Sequence, residues 1–201
     1  MQGNLSRIEL FQEKFVSLVN PPMKNSKTIF DGILVLGYQK GDPKALAILV
    51  KRYQTDFCRY ACWYTHDIEM ARDVVQDSWG VIIAKLGTLK NPDSFRSWAM
   101  RIITRKAQDQ LRYTSRTRSL KKQYRPINEE GSDEDDLKAE YMKQLYEAIQ
   151  RLNFDQQLVL RLFYTQEYSL KEISTILDIS VGTVKSRLFH AREKLKSNLK
   201  L

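Results

Sequence analysis

The sequence predicts an all-α protein: two small helical modules joined by a flexible acidic linker. Three observations carry this. Apolar residues recur at every third or fourth position, as in Met142, Leu145, Ile149 and Leu152; this is the repeat of an amphipathic helix, and no stretch alternates convincingly at the two-residue period of a half-buried strand. Helix breakers are sparse, with 8 Gly and 5 Pro in 201 residues. The run "EEGSDEDD", Glu129 to Asp136, holds six acids with one Gly and one Ser. It has no apolar side chains with which to build a core, so it reads as a solvated linker. The expected organisation is an N-terminal extension over 1–28, a first module over 29–116, a linker over 117–140 and a second module over 141–201.

The extension includes "LSRIELFQEKFVSLVNPPM". This is enough for one short amphipathic helix stopped by Pro21 and Pro22, and the segment is expected to attach loosely. In the first module, Cys58 and Cys62 lie one helical turn apart in "FCRYACWY". With His66 and His190 as the two histidines of the chain, two thiols lack close further ligands for zinc, so both are expected as reduced core thiols and no metal is expected.

The helix expected over Asp67 to Leu86 places Ile68, Ala71, Val75, Trp79, Ile82 and Leu86 on one core stripe. Its other side mixes Met70, Val81 and Ala84 with Asp73, Gln76 and Asp77. Such a mixed apolar and acidic surface suits a protein partner better than DNA, and periodicity alone allows a simply solvated face equally.

The net charge is +9, and it is unevenly placed. Between Arg96 and Arg125 there are ten Lys or Arg against one acid, Asp109, a local excess equal to that of the whole chain. That concentration marks a phosphate-binding stretch. Within it, the helix "SFRSWAMRIITRKAQDQLRYTSR" carries Arg101, Arg105, Gln108 and Arg112 in one row, continued by Arg116. Phe95 and Trp98 stand at its start, and Asn91 and Ser94 lie in the polar loop before it. A basic row with aromatics and small polar groups suits an unstacked single strand, although Phe95 and Trp98 at this spacing also read as core.

In the second module, Ser169 and Glu172 have the spacing of a capping box. Leu170, Ile173, Ile176 and Leu177 follow on one apolar face. Asp178, Ile179 and Ser180 make a short turn, with Ser180 as N-cap of the next helix. That helix places Val184, Leu188, Ala191, Leu195 and Leu199 inward, leaving Gly182, Ser186, Phe189 and His190 outside, flanked by Thr183 and Lys185. Helix, short turn and helix with a small polar outer face form a helix-turn-helix, whose second helix enters the DNA major groove. Gly182 disfavours a helix by about 1 kcal/mol relative to Ala, and its place near the helix N-terminus lets backbone amides approach phosphates or base edges.

The motifs "DVVQDSW", "FRSWAMRIITRKAQDQLR" and "LKEISTILDISVGTVKSRLFHAREKL", in that order around an acidic linker, resemble an alternative sigma factor of the extracytoplasmic-function group of the sigma-70 family. The resemblance spans residues 31–199. It implies that the first module is sigma region 2, with Asp73, Gln76, Asp77 and Trp79 on a helix that docks on the clamp helices of the RNA polymerase β′ subunit. It implies that Asn91, Ser94, Trp98, Arg101, Arg105 and Arg112 capture and melt the −10 element. It implies further that the second module is region 4, reading the −35 element through Ser180, Gly182, Thr183, Lys185, Ser186, Arg187 and His190 and meeting the polymerase β flap. Core polymerase, promoter DNA as duplex and single strand, and an anti-sigma factor are the implied partners.

The chain departs from the family pattern at four places. Thr104 and Arg105 stand where Arg-Asn is common, which puts the −10 preference in doubt. Asp178 replaces the usual turn glycine, Ser174 stands where alanine is preferred, and Asn153 replaces a common proline at a helix start. Asp tolerates a left-handed backbone and Asn caps well, so the turn and the helix start are expected to survive.

No nucleophile with its base, Walker glycine loop or metal cluster is legible, so neither an enzyme nor a cofactor is expected. The longest apolar runs are four or five residues, too short to span a membrane, and no secretory leader is evident, so a cytoplasmic location is expected. The alternative is a conventional helix-turn-helix regulator that needs duplex DNA alone. The outer face of the Asp67 to Leu86 helix separates the two readings, since such a regulator has no use for a polymerase-binding surface.

Overall fold

Eight α-helices and no strand make up the described residues of the computed structural model, which are 26–117 and 136–199. Side chains are described over 27–113 and 143–199. Most of the N-terminal extension, most of the acidic linker and the Arg116 side chain therefore lie outside the described residues. In the first module the helices are α1 (Ser26–Gln39), α2 (Pro43–Thr65), α3 (Ile68–Leu86) and α4 (Phe95–Thr117). In the second they are α5 (Asp136–Gln150), α6 (Phe154–Leu160), α7 (Leu170–Leu177) and α8 (Val181–Asn198).

Local chemistry sets the boundaries. The Asp42 carboxylate accepts the Lys44 amide at 2.9 Å, with Pro43 opening α2. That helix ends at His66 in the left-handed region, φ 55. Asp67 then caps α3, its carboxylate accepting the Glu69 and Met70 amides, each at 3.0 Å. A short turn over Pro92–Ser94 leads into α4. Here α1 passes beside the turn, and a Cβ on Gly32 would lie 2.5 Å from Asp93 Oδ1 but 3.6 Å from the Asp93 backbone nitrogen, so a side chain there would displace the Asp93 carboxylate rather than the backbone.

The first module is built around Phe57, Tyr60, Val75, Ile82, Phe95 and Ile103, all fully buried. Asp31, also buried, accepts from Arg52 Nε at 3.1 Å and from the Tyr53 hydroxyl. Burial and the adjacent carboxylate push the Tyr53 phenol upward, which keeps it a proton donor. Cys58 and Cys62 are half-buried free thiols, and burial raises both. The core stripe of α3 differs from expectation at one end: Ile68 is 57% exposed, while Val74 and Ser78 are buried. Ile68 lies at the first position after the cap, before the helix has turned onto the core, and Ser78 satisfies its hydroxyl by donating to the Val74 carbonyl at 2.6 Å.

The two modules are not separate bodies. A continuous cluster of buried side chains runs from the first module into Leu162, Tyr168, Ile173 and Leu188 of the second, and α7 packs across α4. The Arg96 guanidinium lies 4.2 Å over the Tyr168 ring and donates to the Gln166 carbonyl. Trp63 stacks on Phe154 with centroids 5.8 Å apart and planes 12° from parallel. Nothing in the sequence announces these contacts.

Candidate nucleic-acid interface

The helix-turn-helix forms as its caps dictate. Ser169 and Glu172 close a reciprocal box: the Ser169 amide donates to Glu172 Oε2 at 2.9 Å and the Glu172 amide to Ser169 Oγ at 3.3 Å. Asp178 ends α7 at φ 58, ψ 43, the left-handed turn expected of it. Ser180 Oγ accepts the Thr183 amide at 3.0 Å and starts α8. Ser174 does more than keep the helices close, since its hydroxyl donates to the Ile179 carbonyl at 2.6 Å and fastens the turn. Asn153 likewise caps α6, paired reciprocally with Gln156.

Val184, Leu188 and Ala191 are buried, and Leu195 and Leu199 lie partly buried beside them. The opposite face of α8 is open. Ser180, Gly182, Lys185, Ser186 and His190 are exposed, and Thr183 is half-buried at their edge. Phe189 joins them at 58% exposure, its ring edge-on to His190 with centroids 5.4 Å apart. A Cβ on Gly182 would meet only Ser180 Oγ, at an ordinary 3.5 Å; the glycine is thus not imposed by packing within the chain. Arg187 lies apart from this face. Its guanidinium donates to Asp155 Oδ2 of α6 at 2.7 Å, and the side chain is half-buried.

On α4, Arg101, Arg105, Gln108 and Arg112 follow one another along the surface, Arg101 and Gln108 half-buried, Arg105 and Arg112 exposed. Phe95 is fully buried and belongs to the core, whereas Trp98 is half-buried on top of it with ring centroids 6.2 Å apart. Asn91 is exposed at the start of the preceding turn, and the Ser94 hydroxyl donates to its carbonyl at 2.6 Å. Thr104 points inward, 1% exposed; it donates to the Met100 carbonyl at 2.8 Å and meets the buried Tyr60 hydroxyl at 2.9 Å. Of the pair Thr104–Arg105, Arg105 alone reaches the surface.

On α3, Asp73, Gln76 and Asp77 are exposed and line a cleft shared with Lys106, Gln110 and Tyr113 of α4. Trp79 faces the other way. It is 8% exposed, packs on Phe57 and donates its indole N–H to Gln54. It supports this surface from behind, because a buried side chain offers a partner nothing to touch.

Comparison with known proteins matches these two regions. The family pattern "Sigma-70 region 2" matches residues 49–117 and "Sigma-70, region 4" matches 142–195. The chain is 28% identical over 188 residues to the RNA polymerase sigma-H factor of Pseudomonas aeruginosa, covering 84% of this chain and 93% of that protein. It is 28% identical over 185 residues to the ECF RNA polymerase sigma-E factor of Salmonella typhimurium, covering 87% and 96%. Its fold resembles the sigma factor RpoE in complex with the anti-sigma factor NepR from Bartonella quintana, with a TM-score of 0.62, 21% identity, and coverage of 79% and 98%. The open recognition helix, the basic row of α4 and the two matched regions in their order make this chain a member of the sigma-70 family, an alternative RNA polymerase sigma factor of the extracytoplasmic-function group.

Proposed function

We propose that region 2 extends over 29–116 and region 4 over 141–201, and that three surfaces divide the work of initiation. Asp73, Gln76 and Asp77 on α3 dock on the β′ clamp helices of core polymerase. Asn91, Ser94, Trp98, Arg101, Arg105 and Arg112 engage the −10 element as its strands separate, the arginines neutralising phosphates and Trp98 offering a stacking face. The outer face of α8 reads the −35 element, where Lys185 can pair with guanine O6 and N7 and Phe189 can touch thymine methyls. Arg187 acts on that reading by holding α8 against α6. The factor is a specificity subunit without catalysis of its own and works in the cytoplasm; among the described residues no helix is long and apolar enough to cross a membrane. An anti-sigma factor is a fitting partner, since a structural relative was solved with one.

The observation that carries this reading is the coexistence in one chain of an open α8 face and a separate acidic face on α3, which a regulator confined to duplex DNA does not need. Run-off transcription with purified core polymerase on genomic fragments tests it. Promoter-specific transcripts that require this chain are expected. A chain that shifts duplex fragments yet neither binds core polymerase nor starts transcripts is instead a conventional regulator.

A further inference from the structure

Two arginines of region 2 converge on one carboxylate of region 4. Arg101 Nη2 donates to Asp178 Oδ1 at 2.8 Å, and Arg105 Nη2 donates to Asp178 Oδ2 at 3.0 Å. The arginines lie one turn apart on α4, and each takes its own oxygen of the anion. Arginine grips a phosphate with the same donors. Arg101 Nε is buried and meets no acceptor among the described residues, so the carboxylate leaves donor capacity unused. We propose that Asp178 occupies, in cis, an anion site that Arg101 and Arg105 provide for a backbone phosphate of single-stranded DNA. The turn of the helix-turn-helix thereby latches the −10 grip shut until DNA displaces it. The proposal rests on the reading of α4 as a strand-binding helix.

Geometry makes the closed arrangement incompatible with a promoter-bound one. Elements centred about 25 base pairs apart are separated by about 85 Å along B-DNA at 3.4 Å per pair, whereas here α7 lies against α4. Residues 118–135 can span at most about 60 Å, which together with the breadth of the modules suffices for the open reach. The latch is also releasable. Asp178 is 66% exposed and Arg105 54%, so water and salt reach the contact and hold its strength to that of surface pairs. Meanwhile Lys185, Ser186 and His190 remain exposed on α8. The closed form therefore leaves duplex reading available while strand capture is blocked, which orders the two events. The usual turn glycine of the family would provide no carboxylate, so the latch belongs to this chain.

Asp178→Asn removes the charge and keeps a residue that accepts φ 58; Asp178→Gly does the same without a side chain. Both, in the full chain free of polymerase, should bind a fluorescein-labelled dT12 about three- to tenfold more tightly than the parent in low salt, by anisotropy. The buried cluster that joins the modules does not include Asp178, so small-angle scattering should show an unchanged radius of gyration. Neither variant's gain in dT12 affinity should survive in an Arg101→Ala/Arg105→Ala background. Unchanged dT12 affinity in both Asp178 variants, with binding still dependent on the two arginines, overturns the latch alone. A gain that persists without the arginines also overturns it, as a general charge effect. Binding of dT12 that is indifferent to the arginines in every variant removes the strand-binding reading of α4, and the latch with it.

Discussion

The indole N–H of Trp79 donates to Gln54 Oε1 at 2.6 Å, tying α3 to α2 directly behind the acidic face that Asp73 and Asp77 present. The same helix thus carries a core anchor and an exposed surface, and substitutions on its two sides should separate cleanly. Trp79→Ala removes a buried aromatic packed on Phe57 and should cost about 3 to 5 kcal/mol. Trp79→Phe keeps most of the packing and loses the hydrogen bond, about 1 kcal/mol. Urea unfolding measures both; equal losses would mean that the ring's packing contributes little.

Asp77→Arg should leave stability nearly unchanged, because its pair with Lys106 at 3.7 Å is largely solvated and such pairs are worth about 0 to 1 kcal/mol. Affinity for core polymerase should fall by about 2 to 5 kcal/mol if the carboxylate is buried in that interface. Titration of core enzyme with parent and variant, alongside their unfolding curves, decides the matter. Equal affinities return α3 to the status of a solvated face.

Thr104→Val should destabilise the chain by about 1 to 3 kcal/mol, since it strips the partner from the fully buried Tyr60 hydroxyl. Its −10 preference should match the parent's in a promoter library, because the side chain does not reach the surface. A shifted preference would require α4 to reorganise on DNA. A match would leave Arg105, the member of the pair that reaches the surface, as the candidate source of any departure in −10 preference.

Local chemistry made most of the fold legible. The Ser169–Glu172 capping box, the left-handed Asp178 and the inward stripe of α8 each follow from residues within a few positions of one another, and each is present. What the sequence could not express was pairing at a distance. An arginine row reads the same whether its partner is phosphate or the carboxylate of Asp178, so the packing of α7 on α4 left no mark in the pattern. Arg187 shows the complementary difficulty: it sits within a motif whose neighbours face outward, and only the rotation of α8 against α6 reveals that it is tied to Asp155. Trp79 was legible, since the helical period put it on the core stripe where it lies, and the family resemblance alone set it among the docking residues. The helical period placed Phe189 on the outer face, but a single exposed apolar side chain is ordinary and marks no site by itself.

Lys185→Ala and Arg187→Ala should fail differently. Lys185 is exposed on the reading face, so its loss should relax preference at one or two −35 positions by about 1 to 3 kcal/mol. Arg187 holds Asp155 across α8 and α6, so its loss should lower stability by about 1 kcal/mol and depress all promoters alike. Base preference is read from a library transcribed by each variant with core polymerase. A changed preference in Arg187→Ala would place that guanidinium on a base edge after rearrangement.

Gly182 gives the sharpest separation of folding from function. Within the chain a methyl group there meets Ser180 Oγ at 3.5 Å and nothing nearer, and glycine in a helix carries an entropic cost, so Gly182→Ala should stabilise the free protein by about 0.4 to 1 kcal/mol. On DNA the same methyl stands between the α8 N-terminus and the duplex, where amides not used by the Ser180 cap are free to approach a phosphate. Transcription from −35-dependent promoters should therefore fall for Gly182→Ala and be abolished for Gly182→Leu, with the base preference of any residual activity unchanged because docking, not reading, is impaired. Thermal melts and library transcription on the same preparations provide the two halves of the test. If Gly182→Ala is stabilised and transcribes as well as the parent, close backbone approach is not the reason for the glycine, and the α8 N-terminus sits farther from the duplex than proposed.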